Sequence, residues 1–75
     1  MTATGNVPKQ GRTIAVDPNV IPYGSKVKIN GLGTFIAEDC GGLVKGKHID
    51  IYFESHADTD RFGVQRRKVT ILKKG

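Results

Sequence analysis

The sequence His48-Ile49-Asp50-Ile51-Tyr52-Phe53 alternates between polar and apolar side chains. This period of two predicts a β-strand whose isoleucines and Phe53 face the core. Asp50 then lies in the middle of the opposite face, between His48 and Tyr52. A carboxylate at mid-strand is either a side chain on a solvated sheet face or a functional group, and the strand alone leaves both interpretations open.

The rest of the chain consists of short apolar runs separated by glycine and proline, which is typical of β structure with tight connections. Further strands are predicted at Thr13–Val16, Lys26–Ile29, Thr34–Glu38 and Lys68–Leu72. The Asn30-Gly31 pair predicts a hairpin between the second and third of these strands. One short helix is predicted over Ser55–Phe62, with Ser55 as its cap and Gly63 as its end. The sequence therefore predicts a mainly β fold with one short helix.

The length of 75 residues fits a single small domain over residues 1–75. The net charge of +5 favours anionic partners, of which nucleic acid and an anionic cell wall are two classes. A solvated strand edge and chain end also explain the charge, because much of it lies in Arg66–Lys68 and Lys73–Lys74. No nucleic-acid-binding motif is present and aromatic residues make up only 7%, so nucleic acid is not an expected partner.

Several other classes are disfavoured. Cys40 is the only cysteine, so no internal disulfide forms, and its spacing from His48 and His56 matches no zinc site. Neither a metal nor another cofactor is expected. No apolar run has membrane-spanning length, and Met1–Gly5 lacks the apolar region of a signal peptide. An export signal is therefore expected on a longer precursor, unless export uses another route.

A second carboxylate precedes a glycine-rich loop. Asp39 ends the third predicted strand and is followed by Cys40-Gly41-Gly42, where glycines let the backbone approach a ligand. If the loop over Asp39–Lys47 folds back, Asp39 and Asp50 lie near each other. Repulsion between two neighbouring carboxylates raises the pKa of one of them, and a protonated carboxyl is the acid that glycosidic cleavage requires.

Four ordered segments carry a resemblance to a known family: Thr13–Pro18, Val20–Ser25, Ala37–Gly42 and Val44–Tyr52. They resemble the 3D domain family, named for three aspartates, which here are Asp17, Asp39 and Asp50. The chain is also similar to the catalytic barrel of the membrane-bound lytic transglycosylase A group and to stationary-phase and phage muralytic proteins. The resemblance runs from about Thr2 to Leu72.

The resemblance implies a double-psi β-barrel of the six-stranded type and a partner in the glycan strands of peptidoglycan. It implies lytic transglycosylase activity, in which the bond between N-acetylmuramic acid and N-acetylglucosamine is cut with a 1,6-anhydro product. By the same resemblance, Asp50 is expected to take the acid/base role and Asp39 to lie beside it in the catalytic site. Residues expected to bind substrate are Asp17, Gly41, Gly42, Lys45, His48 and Tyr52. For Asp17, a structural role in the turn before Pro18 fits as well. The implied location is extracellular, in the cell envelope, or phage-delivered to the wall.

Two departures from the family pattern lead to further expectations. Members usually carry another strand before the position of Thr2, so the domain is expected to be truncated at its N-terminus and one strand short. An open barrel exposes an edge, which makes a strand-exchanged homodimer a reasonable assembly. Position 40 usually holds Thr or Val, and Cys40 is expected to be a small buried substitute.

Two other functions stay open. Cys40, His48 and Asp50 are the residue types of a cysteine hydrolase, although no flanking signature of that class is present. A non-catalytic, expansin-like barrel that binds wall glycan is the second alternative, because a fold does not fix chemistry. Analysis of reaction products separates the alternatives, since a binding module releases no anhydro-sugar fragments.

Overall fold

A computed structural model describes all residues from 1 to 75 and has five strands and one helix. The elements in chain order are β1 (Thr13–Ala15), β2 (Lys26–Ile29), β3 (Gly33–Asp39), β4 (Asp50–Ile51), α1 (His56–Phe62) and β5 (Val69–Lys73). The mainly β content and the single short helix are as predicted. No helix has the combination of length and apolarity that crossing a membrane requires.

The five strands form one sheet in the order β4-β1-β3-β2-β5. β1 and β3 pair in parallel, and the other three pairings are antiparallel. β2 and β3 form the predicted hairpin, with Gly31 in its turn at a φ of 81°. The sheet does not close on itself, because β4 and β5 are its two edges. The closed barrel implied by the resemblance is thus present only as an open five-stranded sheet.

One face of the sheet carries the hydrophobic core. The fully packed members are Ile14, Val16, Ile21, Val27, Ile29, Phe35 and Ala37. Side chains partly buried against them are Leu32, Ile49 and Ile51. In β2 the alternation is complete, because Val27 and Ile29 are buried while Lys26 and Lys28 are exposed. Each buried aliphatic side chain contributes roughly 1.5–3 kcal/mol, so a core this small depends on support from hydrogen bonds elsewhere.

The strand predicted over His48–Phe53 is shorter in the structure, where β4 covers only Asp50–Ile51. β4 is an edge strand and pairs only with β1, which is itself three residues long. The predicted apolar face is largely retained, since Ile49 and Ile51 pack against the core. Phe53 instead packs beside Phe62 of α1, with ring centroids 5.4 Å apart.

The helix α1 begins one residue later than predicted. Ser55 occupies the N-cap position with extended backbone, but its side chain makes no capping hydrogen bond. Gly63 ends the helix with a φ of 63°, as expected of a glycine at a helix C-terminus. No residue of α1 is fully buried, and Phe62 is the residue of the helix that packs against Phe53.

Candidate functional site

Asp39 and Asp50 are brought into one row across the sheet. Ala15 of β1 pairs with Asp39 of β3 on one side and with Asp50 of β4 on the other. Adjacent strands lie 4.7–4.9 Å apart, which puts the two aspartate Cα atoms about 10 Å apart. Ile14 is buried in the core, so Ala15 and its two partners face the other side of the sheet. The small side chain between the two aspartates leaves room above the row.

A bulge sets this register. Ile14 pairs with Ala37 and the next residue, Ala15, pairs with Asp39, so Glu38 is an extra residue in β3. Without the bulge Glu38 would stand opposite Ala15, and Asp39 would point to the other face of the sheet. The bulge therefore places the carboxylate of Asp39 in line with that of Asp50.

Asp39 is held in place by backbone donors. Its Oδ1 accepts hydrogen bonds from the N–H groups of Ala3, at 3.0 Å, and Cys40, at 2.9 Å. The side chain is half-buried. Because both partners of Oδ1 are donors, Asp39 acts as an acceptor in this geometry.

The carboxylate of Asp50 has no partner in the chain. Its side chain is exposed and makes no hydrogen bond or salt bridge. It borders a groove of about 770 Å³. Apolar side chains such as Ile29, Ile49 and Val69 line this groove together with the basic residues Lys47, His48, Arg66 and Arg67. The side chain of Asp50 is therefore free to meet a ligand at this edge of the sheet.

Asp17 joins two loops. Its Oδ1 accepts a hydrogen bond from Asn19 N–H at 3.0 Å, across the turn that Pro18 begins, and its Oδ2 accepts one from Gly46 N–H at 2.8 Å. The bond from Gly46 lowers the pKa of Asp17 most, followed by the bond from Asn19; the charge of Lys45 also lowers it. Asp17 is buried and anchors the loop between Asp39 and Lys47 to the end of β1.

The other predicted ligand-binding residues are spread along this loop and β4. Lys45 and His48 are exposed, and His48 borders the groove. Tyr52 is half-buried next to β1, where its N–H donates to Thr13 O at 3.1 Å, and it does not border the groove. His48 and Tyr52 thus flank Asp50 in the sequence, two residues before it and two residues after it.

The glycines of the loop do not all need glycine geometry. Of Gly41, Gly42 and Gly46, only Gly46 has a positive φ, of 63°. A Cβ on Gly41 would come within 3.1 Å of the Val44 side chain, whereas one on Gly42 would meet open space. Glycine is therefore required at Gly46 by its backbone conformation and favoured at Gly41 by the lack of space for a side chain.

Cys40 is exposed, which corrects the expectation that it is a small buried substitute. It follows the bulged end of β3, where the chain turns away from the sheet, so the core does not enclose it. No hydrogen bond joins Cys40 to His48, as a cysteine nucleophile and its base would require. No three His, Cys, Asp or Glu side chains are grouped closely enough to hold a metal ion.

Tyr23 is a neighbour of the site that sequence analysis did not identify. Gly24 N–H donates to Ala37 O and Ala37 N–H donates to Ser25 O, so this loop lies along β3. The neighbouring Cys40 thiol, then burial, then the charges of Asp39 and Asp17 raise the pKa of Tyr23 above its ordinary value of 10.0. Its hydroxyl therefore stays protonated at neutral pH, beside two of the three aspartates. The signals in the sequence were its place in a loop between Pro22 and Gly24 and its place in Val20–Ser25, one of the four segments that carry the resemblance.

Glu38 was also not predicted to be part of the site, because its position within the predicted strand Thr34–Glu38 gave no reason to single it out. The residue is 5% exposed, and its carboxylate accepts hydrogen bonds from Arg12 Nε at 2.8 Å, Thr13 Oγ1 at 2.7 Å and Asn6 Nδ2. Its backbone oxygen accepts a bond from Thr4 N–H at 3.1 Å. Glu38 thus fixes the N-terminal segment that carries Ala3 N–H to Asp39.

Together these features define a small mainly β domain with two aspartates in one row, of which Asp50 is among the residues bordering a groove. A family model described as the 3D domain matches residues 12–73, and the chain belongs to that family. The resemblance given by the four sequence segments is confirmed.

Relatives from Bacillus subtilis (strain 168) cover nearly the whole chain. It is 45% identical over 75 residues to the cell wall-binding protein YocH, a match that spans 96% of the chain and 26% of YocH. It is 47% identical to YabE, named as a candidate cell wall shaping protein, over 95% of the chain and 18% of YabE. The prophage-derived protein YorM is 39% identical over 62 residues, 79% of the chain and 26% of YorM. The chain thus spans about a quarter or less of these relatives.

Proposed function

We propose that the domain acts on the glycan strands of peptidoglycan as a lytic transglycosylase. The observation that carries this proposal is the row of Asp39 and Asp50, in which one carboxylate is fixed by backbone donors and the other stands free beside a groove. Membership of the 3D family and the cell-wall names of YocH and YabE support a cell-wall function, and with it a location in the cell envelope.

In the proposed reaction Asp50 is the single acid and base. Its carboxyl donates a proton to the oxygen that links N-acetylmuramic acid to N-acetylglucosamine, and the bond from that oxygen to the muramyl C1 breaks. The muramyl C6 hydroxyl then attacks C1 and passes its proton to the Asp50 carboxylate. The products are a 1,6-anhydromuramyl end and a free N-acetylglucosamine hydroxyl, and Asp50 is again protonated. No water is consumed.

The remaining residues are proposed to hold the sugar. Asp39, as a fixed acceptor, is suited to a sugar hydroxyl or amide beside the scissile bond. His48 borders the groove and Lys45 is exposed on the loop, so both are available to the carboxylates of the substrate. Gly41 and Gly42 let the loop approach the glycan, and Tyr52 offers a ring edge beyond Asp50. Asp17 is proposed to contribute by holding the loop in place.

The sheet is proposed to be part of a double-psi β-barrel. Five strands with one parallel pair inside an otherwise antiparallel sheet are compatible with a barrel that needs one further strand. The edge strand β5 is exposed along its length, including Ile71 and Leu72. A strand-exchanged homodimer would cover such an edge.

Mass spectrometry of digested peptidoglycan tests the proposed reaction. The wild-type chain is expected to release fragments with 1,6-anhydromuramyl ends, and Asp50→Asn is expected to release almost none. Reducing ends in place of anhydro ends would assign a hydrolase. A wild-type chain that releases no fragments would overturn the proposal for this domain.

A second function is favoured by one finding, the name of YocH as a cell wall-binding protein. In that case the groove holds glycan without cutting it. Cosedimentation with insoluble peptidoglycan distinguishes the two functions, because a binding module cosediments with the wall and leaves its muropeptides unchanged.

A further inference from the structure

Four lysines lie on the side of the sheet opposite the core, at the end formed by β2 and β5. We call this surface the lysine face; it comprises Lys26, Lys28, Lys68 and Lys73. Lys26 pairs directly with Lys73 across the two strands, and Lys28 pairs with Thr70. Lys68 lies two residues before Thr70, on the same side of the chain. All four side chains are exposed.

No acidic group neutralises this face. The salt bridges of the chain join Arg12 to Glu38 and Arg61 to Asp58, and neither involves a lysine. β2 and β5 contain no Asp or Glu. The residues of β3 paired with Lys26 and Lys28 are Ile36 and Thr34, which carry no charge. The positive charge of the face is therefore unopposed.

The pairing of lysine with lysine lowers the stability of the chain when no ligand is bound. Like charges placed directly opposite each other on neighbouring strands destabilise a sheet, and Lys26 and Lys73 are such a pair. Lysines that protect a strand edge from aggregation would explain Lys73, because β5 is an edge. They do not explain Lys26 and Lys28, because β2 is paired on both sides, with β3 and β5.

The face also offers neutral donors. A shallow recess of about 150 Å³ is lined by Lys28, Asn30, Lys68 and Thr70. An amide and a hydroxyl thus stand between two ammonium groups, a combination suited to the oxygens of a phosphate. No aromatic residue occurs in β2 or β5, so the face has no surface on which nucleobases stack.

We propose that the lysine face binds a linear anionic polymer of the cell wall whose charges are backbone phosphodiesters. The cell-wall source rests on the proposed function; the site itself does not depend on glycan cleavage. The sheet order is β4-β1-β3-β2-β5, so the lysine face on β2 and β5 and the aspartate row on β3, β1 and β4 occupy different strands of one sheet. A polymer bound there would hold the domain on the wall while a glycan strand occupies the groove.

The test uses soluble poly(glycerol phosphate) as the probe and the full chain, with affinity measured by titration calorimetry over a series of salt concentrations. The variant Lys26→Gln/Lys28→Gln removes two charges from the interior strand. The matched control Lys9→Gln/Arg61→Gln removes two exposed charges elsewhere, so both variants change the net charge from +5 to +3, that is, 5 − 2. Unfolding curves of both variants accompany the titrations.

The wild-type chain is expected to bind the probe with an affinity that falls steeply with salt. The lysine-face variant should bind about tenfold more weakly and reduce the slope of log affinity against log salt by about 2. The control should stay within about twofold of wild type. The lysine-face variant should be no less stable than wild type, because it relieves the repulsion between Lys26 and Lys73.

Three results would overturn the proposal. Equal losses in the two variants would mean that only net charge matters. Tighter binding of single-stranded DNA of matched charge would assign the surface to nucleic acid. Absence of binding to the probe at low salt would show that the lysine face is not a binding site for such a polymer. Loss of glycan cleavage with intact binding to the probe would count against the proposed reaction alone.

Discussion

Asp39 and Asp50 lie on opposite sides of β1 and pair with the same residue, Ala15. Their surroundings differ, because the side chain of Asp39 accepts two backbone hydrogen bonds whereas the side chain of Asp50 has no partner in the chain. A group that exchanges a proton with substrate needs a free carboxyl oxygen within reach, and Asp50 has two such oxygens, whereas Asp39 has only Oδ2. This asymmetry supports the proposal that Asp50 is the acid/base and that Asp39 positions the sugar.

Replacing Asp50 by Asn should abolish most glycan cleavage without loss of folding. Asn keeps the size of the side chain but has no acidic proton, and general acid–base catalysis contributes about 10²–10⁴ in rate. The side chain is exposed and unpaired, so the unfolding temperature should not change. Release of anhydromuropeptides measures the effect, and Asp60→Asn on the exposed surface of α1 is the control. Wild-type cleavage by a folded Asp50→Asn chain would end the catalytic assignment.

Replacing Asp39 by Asn should reduce cleavage less than replacing Asp50. The amide oxygen can still accept the bonds from Ala3 and Cys40, so the loop should keep its position. Loss of one acceptor for the sugar should raise KM more than it lowers kcat. Steady-state kinetics on solubilised glycan strands separates the two effects. If Asp39→Asn proved the more damaging change, the two aspartates would exchange roles.

Local sequence pattern was sufficient for most of the fold. The alternation in Lys26–Ile29 and the Asn30-Gly31 turn predicted a hairpin that is present with the expected faces. The length of β4 was not predictable in this way. Strand pairing ends where the partner strand ends, and β1 offers only three residues to both of its neighbours. The polar–apolar alternation of His48–Phe53 indicates neither which strand it pairs with nor how long that strand is.

The candidate site, like the fold, was predicted in part from the sequence. Asp39 and Asp50 stand out as strand carboxylates beside a glycine loop, but the bulge that aligns them is a property of the pairing of β3 with β1. Tyr23 and Glu38 reach the site through contacts with residues more than a dozen positions away. Long-range hydrogen bonds of this kind leave no periodic mark in a single sequence.

Removing the thiol of Cys40 should leave cleavage unchanged. The side chain is exposed and is joined to neither His48 nor Asp50 by a hydrogen bond. Cys40→Ala retains the backbone N–H that Asp39 accepts, and no proposed step uses sulfur. The product assay applies, with iodoacetamide-treated wild type as a second sample. Inactivation of both samples with folding intact would revive the cysteine hydrolase.

Replacing Glu38 by Gln should destabilise the domain by about 1–3 kcal/mol, because the buried acceptor of Arg12 and Thr13 loses its charge and one acceptor oxygen. Denaturant unfolding measures the change. Amide exchange of Ala3 should quicken as the N-terminal segment loosens. The exposed Glu54→Gln is the control, and equal stability of the two variants would show that the buried network contributes nothing.

Replacing Asp17 by Asn should loosen the loop between Asp39 and Lys47. The single amide oxygen of Asn cannot accept the bonds from both Asn19 and Gly46 that the two carboxylate oxygens accept. The pKa of Asp17 is lowered from 3.8, first by the Gly46 bond, so its ionised form stabilises the folded chain. That contribution is complete above pH 3.8 and is lost as the pH falls through the lower pKa of the folded state. Wild type should therefore have the higher unfolding temperature at neutral pH, by roughly 5 °C, and the difference should shrink below pH 3.8. Thermal unfolding over a pH series and amide exchange of Gly46 measure these effects, with Asp60→Asn as the control.

An Asp17→Asn chain with wild-type stability and wild-type amide exchange at Gly46 but no cleavage would contradict this structural role. It would instead place Asp17 in contact with the glycan.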